Sequence, residues 1–167
     1  IPTKIAGISL SIDPGMAFGS GYHSSTKGCL ILMEKLFQKC IPEKVLDLGT
    51  GTGILSIAAL KMGAAVAFSL DYNNLAIETA CKNRALNGLA DRMHLWMGNA
   101  RDFLQIDAEL LVANLYYQVL DQLTDQEIFF SKKYSLLSGL LGQEGYRIQE
   151  KLKRRLVLLD TYQENFW

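Results

Sequence analysis

The chain has 167 residues, 49% of them hydrophobic and 20% charged, the composition of an ordinary soluble globular domain with room for a sizeable core. Its 17 basic and 17 acidic residues cancel, so no overall charge argues for nucleic acid or an anionic membrane as partner. No apolar run approaches the length that spans a bilayer, and no signal peptide is visible.

Residues 1–12 are strand-like, and residues 13–25 form a loop rich in glycine and hydroxyls. Helical periodicity (Leu30, Met33, Leu36, Phe37) follows from Thr26 to about Gln38. Val45–Leu48 is the first strand of a sheet, and a glycine turn leads into a helix ending at Met62. Val66–Leu70 is the second strand. A helix over about Asn74–Leu86 stops at Asn87-Gly88. Met93–Met97 is the third strand. Glu109–Asn114, a nearly continuous apolar run, is the fourth and is expected to be covered on both faces. A helix over roughly 117–130, a fifth strand at Tyr134–Leu137, a helix over 143–153 and a sixth strand at Leu156–Asp160 complete the pattern. This alternation predicts an α/β fold with a doubly wound, mostly parallel sheet.

Three cysteines, Cys29, Cys40 and Cys81, are widely spaced, with no Cys-x-x-Cys or Cys/His cluster. Neither a disulfide framework nor a metal site is indicated, and reduced thiols in the cytoplasm are expected. The basic cluster Lys151-Leu152-Lys153-Arg154-Arg155 closes a helical pattern, where the helix dipole accounts for it as well as a binding patch does. The chain opens at Ile1 rather than a methionine, and is expected to be a piece of something longer.

Asp47-Leu48-Gly49-Thr50-Gly51-Thr52-Gly53 is the most telling motif. A strand, a tight glycine turn and a helix form the arrangement that holds nucleotide-like cofactors in open α/β sheets. Asp71 closes the next strand 18 residues beyond Gly53, near the spacing at which a carboxylate reaches ribose hydroxyls. Together these predict an adenosine-containing cofactor held by Gly49, Gly51, Gly53 and Asp71. The dinucleotide fingerprint wants a glycine where Ile54 stands. Asp47 suits a cationic sulfonium better than a pyrophosphate, so S-adenosylmethionine is favoured over a dinucleotide.

Ligands of such sheets gather at the carboxyl ends of the strands. Asn99 is a candidate for the adenine edge, with turn chemistry as the alternative. Asn114 ends an apolar strand and is followed by Tyr116 and Tyr117. An amide there can accept a hydrogen bond from a substrate amine or orient the cofactor; a helix N-cap is the alternative. An Asn with nearby aromatic rings at the end of the fourth strand resembles methyltransferases that act on nitrogen, which makes Asn114 and Tyr116 the candidate catalytic residues. The stretch from Asp13 to Thr26, which contains Phe18 and His23, is expected to fold over the ligand and exclude water.

Asp13-Pro14-Gly15-Met16-Ala17-Phe18-Gly19-Ser20-Gly21-Tyr22-His23-Ser24-Ser25-Thr26 resembles the signature of PrmA-type methyltransferases, which modify ribosomal protein L11. The resemblance continues through Val45–Leu55, Asp71, Ala113-Asn114-Leu115, Leu137-Ser138-Gly139-Leu140-Leu141 and Trp167, and so covers essentially the whole chain. It implies a single class I, Rossmann-like methyltransferase domain over 1–167. Residues 1–43 would form an amino-terminal segment, a cofactor-covering loop and a helix, and 44–167 the core. Thr26, Gly49, Asp71 and Asn114 match the family's cofactor-contacting positions, and Phe18 falls in the covering loop. The family's separate amino-terminal recognition domain is expected to be absent. The chain also departs from the family pattern at Ser25, at Tyr72-Asn73-Asn74, at Ser131-Lys132-Lys133 and at Tyr116-Tyr117.

The expected activity is transfer of a methyl group from S-adenosylmethionine to an amine, a lysine or an amino terminus, of a protein, with a ribosomal protein as candidate partner and the chain as a monomer. Three other readings stay open at this point: a methyltransferase for RNA or a small molecule, a non-catalytic S-adenosylmethionine-binding module, and a dinucleotide oxidoreductase.

Overall fold

The computed structural model describes residues 2–5, 7–13 and 23–164. Pro2–Ile5 (β1) and Ile8–Ser11 (β2) pair as an antiparallel hairpin. Then come Ser24–Lys39 (α1), Lys44–Leu48 (β3), Ile54–Met62 (α2), Val66–Asp71 (β4), Asn74–Leu86 (α3) and Met93–Met97 (β5). Leu110–Asn114 (β6), Tyr117–Leu123 (α4), Tyr134–Ser138 (β7) and Gly142–Leu152 (α5) complete the order, with short 3₁₀ turns at Ala100–Asp102 and Glu127–Ser131.

Strands β3 to β7 form a five-stranded sheet in the order β5-β4-β3-β6-β7, with every pairing parallel. The chain winds outward from β3 to β5, returns, and winds the other way through β6 and β7. The reversal falls between β3 and β6, the point at which such sheets open a crevice beyond the strand ends.

The two-residue alternation of β3 assigns its side chains to opposite faces. Val45 joins Ile54, Ile57 and Ala58 under α1 and α2. Leu46 and Leu48 join Leu111, Leu120 and Ile148 on the other face, with α4 and α5. Leu110–Ala113 are all buried, as expected for a strand covered on both sides.

Helix α1 begins two residues earlier than predicted, because the His23 ring, rather than a hydroxyl, caps it by accepting the Ser25 N–H. Gly88 takes a left-handed φ of 67° as the expected helix stop. Asn87 beside it does more: its amide clamps β2, accepting from Ser11 N at 3.1 Å and donating to Ser11 O at 2.7 Å.

Two predicted elements differ. The helix expected over 117–130 ends at Leu123, because Thr124 turns its hydroxyl onto the Asp121 carbonyl, and a separate 3₁₀ turn follows. Leu156–Asp160 is not a sixth strand. It has no ladder partner among the described residues, and Val157 is 84% exposed. Leu156 packs against the core cluster that holds Leu46 and Ile148, and the exposed Lys35–Asp160 ion pair at 2.8 Å links the segment to α1.

Candidate functional site

A cavity of about 640 Å³ opens at the carboxyl ends of β3, β4, β5 and β6, at the reversal of strand order. Gly49 and Gly51 line its floor. Asp71, Tyr72 and the run Gly98–Arg101 line one side; Asn114, Leu115, Tyr116, Val119, Gln122 and Gly139 line the other, and His23 and Ser25 also border it.

The floor is a backbone surface. Gly49 has φ +77°, and a Cβ there would run into the Leu115 side chain. The turn is pinned by Gly49 N and Thr50 N, both donating to Leu70 O at 2.9 Å. Asp71 fastens its middle: its Oδ2 accepts the Gly51 N–H and its Oδ1 the Asn73 N–H, each at 2.9 Å. Each carboxylate oxygen has a second lone pair, so the half-buried Asp71 can still accept from a ligand hydroxyl at the cavity.

Asp47 is placed differently from the expectation of a direct ligand contact. By the alternation of β3 it lies on the α2 side, fully buried beneath the turn and outside the cavity lining. Its Oδ2 accepts from the hydroxyls of Thr50 and Ser56, both at 2.7 Å, and Ser69 extends the chain to Ser56. Its Oδ1 is buried and has no hydrogen-bond partner among the described residues. Burial pushes this carboxyl up to about 6, against the opposing pull of the two hydroxyls. Between about pH 4 and 6 the folded state thus keeps a proton that the unfolded chain gives up, and stability falls as pH rises through that window. Asp47→Asn is expected to remove this slope, worth about 3 kcal/mol at most. Urea midpoints of both proteins, measured on either side of the window, check it: parallel profiles would contradict the burial of a titrating Asp47.

Gly53 also lies outside the cavity lining. A Cβ there would meet Met93 and Ala80, so this glycine serves the packing of α2 near α3 and β5. Thr26 is 1% exposed and lies behind the cavity wall. Phe18 and most of the expected covering loop fall outside the described residues.

Asn114 reaches the cavity from the end of β6. It is not a helix N-cap, since that position of α4 is Tyr116, which makes no side-chain capping bond. The Asn114 Nδ2 donates to Thr26 Oγ1 at 3.3 Å, which fixes the amide by a bond across 88 residues. Leu115 N donates to Ser138 O at 3.1 Å, and Ser138 Oγ donates to Ser25 O at 3.1 Å. The start of α1, the end of β6 and the end of β7 are thereby tied into one unit. Tyr116 beside it is 77% exposed, and Tyr72 is 81% exposed at the opposite rim.

Asn99 lines the cavity and also performs the turn chemistry that was its alternative reading: its Oδ1 accepts from Arg101 N at 3.1 Å. Sequence reasoning passed over Tyr72, Arg101, Val119 and Gln122. The three-residue spacing of Tyr116, Val119 and Gln122 is a readable signal of one helix face; the place of Arg101 is not readable locally.

No group of three or more His, Cys, Asp or Glu among the described residues is placed to hold a metal ion. No helix among them is long and apolar enough to cross a membrane.

Residues 2–167 match the family model for ribosomal protein L11 methyltransferase (PrmA). A ribosomal protein L11 methyltransferase of Desulfitobacterium hafniense is 36% identical over 163 residues, covering 96% of this chain and 51% of that protein. One from Bacillus pumilus is 34% identical over 146 residues, covering 86% of this chain and 46% of that protein. The chain thus spans about half the length of the curated relatives it matches. The crystal structure of a ribosomal protein L11 methylase from Lactobacillus delbrueckii subsp. bulgaricus superposes with a TM-score of 0.78 at 29% identity, covering 93% of this chain and 80% of that one. An RNA methyltransferase from Salinibacter ruber, at 23% identity and a TM-score of 0.52 over 65% of this chain and 69% of its own, shares the fold. With a doubly wound sheet, a glycine floor and an asparagine wall in place, the chain belongs to the ribosomal protein L11 methyltransferase (PrmA) family.

Proposed function

We propose that this chain binds S-adenosylmethionine in the cavity and directs its methyl group to an amine nitrogen of a ribosomal protein. The observation that carries the reading is the convergence of the Gly49–Gly51 floor, the Asp71 carboxylate and the anchored Asn114 amide on one cavity. A volume of about 640 Å³ suits a nucleoside with an amino-acid tail. Gly49 is held to glycine by its φ of +77° and by Leu115, which fills the space a side chain would take, so the turn stays tight beside the cavity that both residues line. The buried negative field of Asp47 beneath that floor favours a cation above it.

S-adenosylmethionine supplies a methyl group on a sulfonium, open to in-line displacement. The residues of this chain bind and orient. Asp71 holds the ribose hydroxyls through its spare lone pairs, and Asn99 meets the adenine edge. Asn114 Oδ1 accepts an N–H of the acceptor amine, so that the nitrogen lone pair is aimed rather than free to rotate. A lysine amine has a pKa of about 10.4 in water, so it must lose a proton before attack. Withdrawal from solvent between Asn114 and Tyr116 favours its neutral form, and water carries the proton away.

The direct test is incubation of the purified chain with ribosomal protein L11 and methyl-labelled S-adenosylmethionine. Label on a lysine or on the amino terminus is expected. Binding of the cofactor with no transfer to protein would leave a binding module and contradict the assignment as a protein methyltransferase.

A further inference from the structure

Arg101 stands on the exposed side of the cavity wall, its guanidinium held by two hydrogen bonds and with no counter-ion among the described residues. Its Nε donates to Asn99 Oδ1 at 3.3 Å and its Nη1 to Gln122 Oε1 at 3.0 Å, while its carbonyl accepts from Gln126 Nε2 at 3.4 Å. A guanidinium has five N–H donors, so three remain without a partner among the described residues. No described carboxylate lies within ion-pair distance of it, whereas Lys44 and Arg155 each have one and Lys151 has two. Among the described residues that line the cavity it is the sole lysine or arginine.

The wall that leads to Arg101 is a stripe that starts at the N-cap of α4, Tyr116, and continues along the helix. Tyr116, Val119 and Gln122 follow at three-residue intervals and all border the cavity. From Tyr116, two residues beyond Asn114, to Gln122 the stripe runs about 9 Å at the rise of a helix. An extended peptide covers that distance in about three residues.

Resting on the reading of Asn114 as the holder of the acceptor amine, we propose that Arg101 binds a carboxylate of the acceptor protein. The carboxylate belongs to an aspartate or glutamate about three residues from the nitrogen that receives the methyl group. Two neutral carbonyls set the guanidinium in place without neutralising it, which leaves its charge for the ligand. A nucleic-acid backbone is disfavoured, because its capture needs several cations and this wall presents one.

The test uses fluorescein-labelled nonapeptides with a central lysine. One set carries aspartate three residues before or after it, and its twin carries asparagine. Anisotropy is read on the chain saturated with S-adenosylhomocysteine, and calorimetry reads the affinity for that compound itself. One aspartate peptide is expected to bind about tenfold more tightly than its twin, and the advantage vanishes in Arg101→Gln. Arg101→Glu is expected to prefer a lysine in place of that aspartate, an exchange that a misfolded variant does not show. Affinity for S-adenosylhomocysteine stays within about threefold throughout, since the Arg101 backbone N–H, which both variants keep, still holds Asn99 Oδ1 and the proposed guanidinium contact is to the acceptor. Equal binding of the twins, or discrimination that survives in Arg101→Gln, overturns the proposal. So does an equal loss of S-adenosylhomocysteine binding, which makes Arg101 a cofactor contact, or a selective gain for single-stranded RNA, which makes the ligand a phosphate. Failure of the wild-type chain to bind S-adenosylhomocysteine is a separate result and strikes the functional reading.

Discussion

Replacing Asn114 with alanine is expected to lower kcat for methyl transfer by about a hundredfold or more, with the affinity for S-adenosylmethionine changed by less than about threefold. The amide is the one group at the end of β6 that is both anchored and turned to the cavity. Its Nδ2 is committed to Thr26, and its Oδ1 remains to accept from an amine. Alanine keeps the strand, since Leu110–Asn114 pairs with β3 and β7 through its backbone. What it removes is the proposed acceptor for the attacking nitrogen, an interaction expected to be made most fully in the transition state. Single-turnover rates beside calorimetric affinities separate the two effects. Equal losses in both would make Asn114 a cofactor ligand and leave the orientation of the amine unexplained.

Gly139→Ala is expected to lower stability by about 2–4 kcal/mol and to disturb the same wall from behind. Gly139 has φ +83°, and a Cβ there would stand 2.5 Å from the Leu115 carbonyl oxygen and 3.0 Å from Asn114 Oδ1. The carbonyl cannot yield cheaply, because the Leu115 amide is bonded to Ser138 O at 3.1 Å on the same turn. The methyl group therefore pushes on Asn114 or on the β6–β7 ladder. Chemical denaturation together with turnover checks it. A variant as stable and as active as wild type would mean that the contact between the β7 turn and Asn114 is looser than described.

The strands and helices of the core were legible because their physical signals are local. The apolar run Leu110–Ala113 and the breaks at Gly53 and Asn87-Gly88 act within a few residues of themselves. The misplaced elements depend on distant partners. Leu156–Asp160 has the composition of a strand, but a strand needs a ladder, and the packing of Leu156 with an exposed ion pair to Lys35 places this segment instead. The helix through 117–130 was broken by one hydroxyl, that of Thr124.

At the site, Gly49, Gly51, Asp71, Asn99 and Asn114 all border the cavity that the motif spacing implied. Asp47 lies beneath the floor rather than at the cavity, and the two-residue alternation of β3 contains the reason: residues 45 and 47 share a face, and Val45 lies in the core under α2. Arg101 was invisible for the opposite reason. Its setting requires Gln122, 21 residues away on another element, and no local pattern announces that meeting.

The Gly49–Gly51 floor and Asp71 are expected to form an S-adenosylmethionine site. Calorimetric titration of the purified chain with S-adenosylmethionine, S-adenosylhomocysteine and NAD, repeated on Asp71→Ala, tests it most directly. The account predicts micromolar binding of the first two, none of NAD, and a loss of about tenfold or more in the variant, where the ribose hydroxyls lose their acceptor. Binding of NAD in place of the sulfonium compounds, or affinity for S-adenosylmethionine that ignores the loss of Asp71, would contradict it.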